Sequence, residues 1–218
     1  MASPYDLQEQ EQLAQIKHFW SRYGNLITWL LIAVLGFFAA WNGWQYWQRK
    51  SALEAAVLYE ELERASRAND VDRVKRVWAD IQKQAGSSAQ AQQAGLMAAR
   101  VLQDTGAAED AILALRVVVD KARDPGVVAV ARLRLSSLEL EAGNASGALQ
   151  TLGAAAPAEF SGLFADRRGD VLLSQGQTDA ARQAYREAWS ALSDDVDYRR
   201  MVESKLNALG VDPAITTP

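Results

Sequence analysis

Few residues in this chain could do covalent or acid–base chemistry. It contains one histidine, His18, and no cysteine. Thiol nucleophiles, disulfides and thiolate metal sites are thereby excluded. His18 precedes Phe19–Trp20 at the edge of an apolar stretch, where a lone imidazole reads as an interfacial residue and not as a catalyst. Acidic neighbours occur at Glu60–Glu61, Glu109–Asp110 and Asp194–Asp195. Glu109–Asp110 falls in a predicted first helical turn, where negative charge suits the helix dipole. No phosphate-cradling glycine loop and no Ser-His-Asp set can be assembled. Asn144–Ala145–Ser146 matches the glycosylation triplet, a short pattern whose meaning depends on the host. The residue inventory therefore argues against an enzyme, and it implies no cofactor and no metal.

Charge narrows the partners further. The chain has 218 residues, with 23 basic and 27 acidic side chains and a formal net charge of -4. The first fifty residues carry four basic and three acidic groups, which leaves 19 basic and 24 acidic over 51–218. A net-acidic domain lacks the positive field of a nucleic-acid binder, so no nucleic-acid partner is expected.

The elements that would have to position any site begin with an uncharged run. Between Arg22 and Arg49 stand 26 residues without a formal charge, Tyr23 to Gln48. As a helix they would extend about 39 Å, against a bilayer hydrocarbon core of roughly 30 Å. Leu26, Ile27, Leu30, Leu31, Ile32, Val34, Leu35, Phe37 and Phe38 supply the apolar centre. Trp20 and Tyr23 at one end, with Trp41, Trp44, Tyr46 and Trp47 at the other, match interfacial aromatic belts. A cleaved export signal is the main rival reading, and a buried core helix the other. Some 25 residues precede the run, and the following WNGWQYW is a poor peptidase site. The expectation is an uncleaved lipid-bilayer anchor at 24–48, preceded by a short segment at 1–23. Lys17 and Arg22 on one side, against Arg49, Lys50, Arg64 and Arg67 on the other, leave its orientation open. Within the run, Ala33, Gly36, Ala40 and Gly43 share one helix face. Small residues so spaced let a second transmembrane helix approach closely, or simply reflect how common Ala and Gly are in such helices.

Beyond Lys50, apolar residues recur at three and four with no alternating strand pattern, so the fold class is all-α. Three segments align: "LMAARVLQDTGAAEDAILALRVVV", "ARLRLSSLELEAGNASGALQTLGAAA" and "ADRRGDVLLSQGQTDAARQAYREAWSAL". Each has an apolar helix and a turn glycine (Gly106, Gly143, Gly176). An alanine follows (Ala111, Ala148, Ala181), then a large residue (Leu115, Leu152, Tyr185), then a smaller one (Val118, Ala155, Ala188). The glycines stand 37 and 33 residues apart, which is the period of tetratricopeptide repeats. Gly169 holds the small position of the last repeat. Arg168 replaces the expected leucine, Glu139 replaces an aromatic, and only Pro157 approximates the closing proline. A weaker hairpin spans Leu53 to Gln84, with Trp78 as its large residue. The expectation is a helical-hairpin solenoid of three to four hairpins over 49–209, followed by a flexible tail at 210–218.

Such a solenoid offers a concave groove to a polypeptide segment. In this register the groove positions are Leu96 and Arg100, then Leu133, Ser137 and Leu140, then Asp166, Asp170 and Leu173. The alternative is that the solenoid itself buries some of these leucines.

The polar start "YDLQEQEQLAQIKHFWSRYGN", the anchor ending "WNGWQYWQRK" and the degenerate repeats together resemble the YfgM family, ancillary subunits of the bacterial SecYEG translocon. The resemblance is strongest from about Gln8 to Tyr59. It implies a single-pass inner-membrane protein with a cytoplasmic N-terminus and a periplasmic repeat domain. It also implies the SecYEG translocon, a membrane-anchored chaperone of the PpiD type and unfolded or emerging secreted polypeptides as partners. It supplies no catalytic residues. The residues alone leave a second function open, a repeat scaffold for another envelope assembly such as cytochrome or cell-wall machinery.

Overall fold

A computed structural model describes residues 4–86, 88–194 and 197–212. All regular structure among them is helical. The chain divides between Ser51 and Ala52 into two compact units.

The first unit is the N-terminal part of α1 (Pro4–Arg67). Its apolar stretch, Trp20–Trp47, is 28 residues long and is one helix of sufficient length and composition to cross a membrane. From Leu26 (65% exposed) to Trp47 (71%) the large apolar side chains face outward all round, which a core helix does not do. Two polar side chains within the stretch bond back to their own helix. Thr28 Oγ1 donates to the Gly24 carbonyl at 2.8 Å, and Asn42 Nδ2 donates to that of Phe38 at 2.9 Å. In lipid no water would satisfy them.

The second unit starts with the remainder of α1 and continues through α2 (Val71–Ala85), α3 (Ala89–Asp104), α4 (Ala108–Lys121), α5 (Pro125–Glu141), α6 (Ala145–Gly153), α7 (Ser161–Ser174), α8 (Thr178–Ala191) and α9 (Asp197–Ala208). Four hairpins pair α1 with α2, α3 with α4, α5 with α6 and α7 with α8. The hairpin turns demand a left-handed residue, and Gly106, Gly143 and Gly176 supply it at φ of +83°, +78° and +74°. Asn69 does the same in the first hairpin at +51°. Asp70, Ser88, Asp124 and Asn144 then cap the next helices by accepting backbone N–H bonds. The Asn144 side chain of the glycosylation-like triplet is thus engaged as a helix cap.

The repeat register is realised in the packing. Ala111, Ala148 and Ala181 are each fully buried, and Leu115, Leu152 and Tyr185 fill the gaps beside them. A Cβ on Gly169 would stand 2.5 Å from Tyr185 Cε1, so only glycine admits the ring. The first hairpin, irregular in sequence, is joined through its apolar side chains. Leu62, Val74, Trp78 and Ile81 join one core with α3 and α4. Separate apolar clusters hold α5 to α7 and α7 to α9.

Three expectations are corrected. Ala155 is exposed, because α6 stops at Gly153 and the chain leaves the helix before reaching it. Glu139, in the aromatic position, is buried and bonded to Arg116 (3.0 Å) and Thr151 (2.7 Å), an ion pair replacing a ring. The residues from 210 onward are not all loose tail. Gly210 is a further left-handed turn at φ +76°, Val211 is buried against the Tyr185 cluster, and its N–H bonds the Leu206 carbonyl at 3.0 Å. Residues 213–218 lie outside those described.

Candidate protein-interaction face

The first helices of successive hairpins, α3, α5 and α7, lie side by side and contact one another in turn. This row carries the positions expected to form a groove. On α3, Leu96 is half-buried against the first core, while Arg100 is exposed and pairs with Asp104 at 3.6 Å. On α5, Leu133 and Leu140 are half-buried against the cluster containing Phe164 and Val171. Ser137 turns its hydroxyl to the Leu133 carbonyl at 2.9 Å. On α7, Leu173 is 39% exposed. The row therefore presents half-buried leucines that can gain further burial from an apolar segment. It has no arrangement for bond-making chemistry.

The two aspartates differ from expectation. Asp166 is fully buried and Asp170 partly so, because α9 lies over them. Lys205 Nζ donates to both Asp166 oxygens (2.8 and 2.9 Å) and to Asp170 Oδ1 (2.6 Å). Tyr198 donates to Asp166 at 2.6 Å and Tyr185 to Asp170 at 2.8 Å. Burial, followed by these carboxylate bonds, pushes both phenol pKa values well above the usual tyrosine range. Asp166 and Asp170 thus serve an internal junction, which leaves Leu96, Arg100, Leu133, Ser137, Leu140 and Leu173 as the remaining expected positions on this row.

Sequence reasoning missed Arg132 and Arg134. Arg132 is 6% exposed and donates to the carbonyls of Thr151 (2.8 Å), Ala155 (3.1 Å) and Ala154 (2.6 Å). It closes the early end of α6 while stacking 4.7 Å from the Phe164 ring centre. Its burial lowers its pKa, and the carbonyls compensate the desolvated charge. Arg134 Nη1 reaches the Leu96 carbonyl at 3.2 Å and ties α5 to α3 across the row. The alternation of arginine with leucine in "ARLRL" was the available signal.

In the first unit, Ala33, Gly36, Ala40 and Gly43 are exposed along α1, and a Cβ on Gly36 or Gly43 would meet nothing within 4 Å. No group of three or more potential metal-ligating side chains gathers among the described residues. Glu60, Glu61, Asp110 and Asp194 each pair with a cation: Arg64, Arg73, Lys75 and Arg199 respectively. Asp195 lies outside the described residues.

The sequence profile of the tetratricopeptide repeat-like domain family matches residues 17–211. A Neisseria gonorrhoeae protein is 28% identical over 208 residues, covering 93% of this chain and 98% of its own. An Escherichia coli protein is 26% identical over 209 residues, covering 93% and 97%. A Haemophilus influenzae protein is 25% identical over 208 residues, covering 94% and 99%. Each of the three is named an ancillary SecYEG translocon subunit. The resemblance to the YfgM family therefore extends over nearly the whole chain.

Proposed function

The chain belongs to the tetratricopeptide repeat-like domain family, and from that premise we propose that it is an ancillary, non-catalytic subunit of the SecYEG translocon. The carrying observation is similarity that runs through both the apolar helix and the repeats, in relatives that share one name. In this reading Trp20–Trp47 holds the protein in the inner membrane as a single pass, with a cytoplasmic N-terminus and a periplasmic repeat unit. The Ala33–Gly36–Ala40–Gly43 face sets its lateral contact with a translocon helix or a co-anchored chaperone of the PpiD type. The leucine row of α3, α5 and α7 receives segments of emerging polypeptides. Anchoring raises the local concentration of such segments toward roughly millimolar, so a weak surface is still occupied.

Crosslinking in native membranes, followed by purification in mild detergent, tests this function. The translocon is expected to co-purify with the wild-type chain and to be depleted by Gly36→Leu with Ala40→Leu. Recovery of cytochrome or cell-wall machinery in its place overturns the proposal. Protease added to spheroplasts is expected to digest the chain beyond about residue 50, and protection until lysis reverses the topology.

A further inference from the structure

The left-handed turn glycines Gly106, Gly143, Gly176 and Gly210 give the helices before them a common register. Nine residues before each stand Met97, Arg134, Arg167 and Met201, and six before each stand Arg100, Ser137, Asp170 and Ser204. Arg134 of α5 and Arg167 of α7 are thus equivalents on neighbouring helices of the row. Their surroundings differ in one respect. One turn on from Arg167 stands Asp170, whose carboxylate pairs with its guanidinium at 3.4 Å. One turn on from Arg134 stands Ser137, whose hydroxyl donates to the Leu133 carbonyl at 2.9 Å.

Arg134 is therefore a half-buried cation with no carboxylate partner among the described residues. Its bond is to the Leu96 carbonyl, made by Nη1 at 3.2 Å. That bond engages one of the guanidinium N–H donors and leaves the charge uncompensated. It also holds the charge at the seam of α3 with α5, beside Leu96. Arg100, the cation on the α3 side, is already paired with Asp104. Residues 51–218 carry 19 basic against 24 acidic groups, so an unpaired cation in the middle of the row departs from the sign of its surroundings.

Resting on the reading that the row receives polypeptide segments, we propose that Arg134 selects those with an acidic side chain between two apolar ones. The segment's carboxylate takes the place at α5 that Asp170 holds at α7, while its apolar residues cover Leu96 and Leu133. Packed helices lie about 8–10 Å apart and an extended chain rises about 3.3 Å per residue, so these apolar residues stand about three apart. The row continues past Arg134 on both sides, to Leu96 on α3 and to Leu173 on α7. A bound segment runs through, and its carboxylate belongs to a side chain and not to a chain terminus. Covering the leucines also excludes water from the charge, which strengthens a charge-assisted bond there.

Photo-crosslinking of the full chain in detergent micelles tests the selection. The probes are short benzophenone-labelled peptides, blocked at both ends, with two leucines three residues apart in a glycine and serine background. Between the leucines stands glutamate, glutamine or lysine. The wild-type chain is expected to capture the glutamate peptide about tenfold more than the glutamine one, with the lysine peptide weakest. That preference is expected to shrink in about 1 M salt. Arg134→Gln is expected to capture the glutamate and glutamine peptides alike, Arg134→Lys to keep the glutamate preference, and Arg134→Glu to favour the lysine peptide. Circular dichroism checks that helix content is kept, and a preference reversed by charge reversal is not an effect of lost packing. Equal capture of the glutamate and glutamine peptides by the wild-type chain overturns the selection and leaves the row as a polypeptide site. A glutamate preference that survives Arg134→Gln does the same. Preferred capture of a glutamine peptide with a free C-terminal carboxylate overturns it in favour of end recognition. Capture of none of the peptides overturns the reading of the row as well.

Discussion

Replacing Gly169 by alanine tests the repeat register at its tightest point. The new methyl would lie 2.5 Å from Tyr185 Cε1, 2.6 Å from Cδ1 and 2.9 Å from Cζ. The ring cannot simply slide away. Its hydroxyl is bonded to Asp170 at 2.8 Å, and the side chain is 1% exposed within a packed cluster. Overpacking of this kind costs about 1–3 kcal/mol. Weakening the hydrogen bond to a carboxylate adds roughly 1.5–3 kcal/mol. The better helix propensity of alanine returns about 1 kcal/mol. The net expectation is destabilisation of about 1.5–5 kcal/mol, a fall in melting temperature of roughly 3–20 °C for a unit of this size. Circular dichroism melting of the unit after Ser51 measures it. Gly153→Ala is the control, because a Cβ there meets nothing within 4 Å, and it is expected to leave the midpoint nearly unchanged. Tyr185→Leu, which copies Leu115 and Leu152, is expected to recover part of the loss in the Gly169→Ala background. Equal midpoints for Gly169→Ala and Gly153→Ala would refute the close crossing of α7 and α8.

The fully buried Tyr185 and the partly buried Tyr198 both have raised folded-state pKa values. Their contribution to stability is therefore complete below the unfolded value of about 10 and is lost as pH rises above it. Absorbance titration is expected to show Tyr185 and Tyr198 ionising only together with alkaline unfolding. Arg132→Met removes three bonds to carbonyls at the end of α6 and is expected to cost about 2–4 kcal/mol in urea unfolding. Leu133→Glu with Leu140→Glu is expected to reduce crosslinking to polypeptide partners at least several-fold with helix content unchanged. Undiminished crosslinking would place recognition away from the α3–α5–α7 row.

Local chemistry is written in the chain itself. The uncharged run with aromatic ends needs no neighbour to declare itself, because transfer into lipid sums over individual residues. The glycine turns and the alanine–large pairs are equally local, since a left-handed turn and a close crossing each restrict the residue types allowed. They marked the repeats from Gly106 to Ala188, and the packing of Ala111, Ala148 and Ala181 follows them. Only the tertiary structure decided what the charged departures from the pattern do. Glu139 finds Arg116 and Thr151, and Arg132 finds the carbonyls at the end of α6, across separations that no repeat consensus encodes. Asp166 and Asp170 occupy groove positions by periodicity, yet Lys205 and Tyr198 of α9 cover them. A charge on a helix face reads as solvated until another helix is known to lie over it. Its partners are then set by three-dimensional proximity, which neither periodicity nor propensity contains.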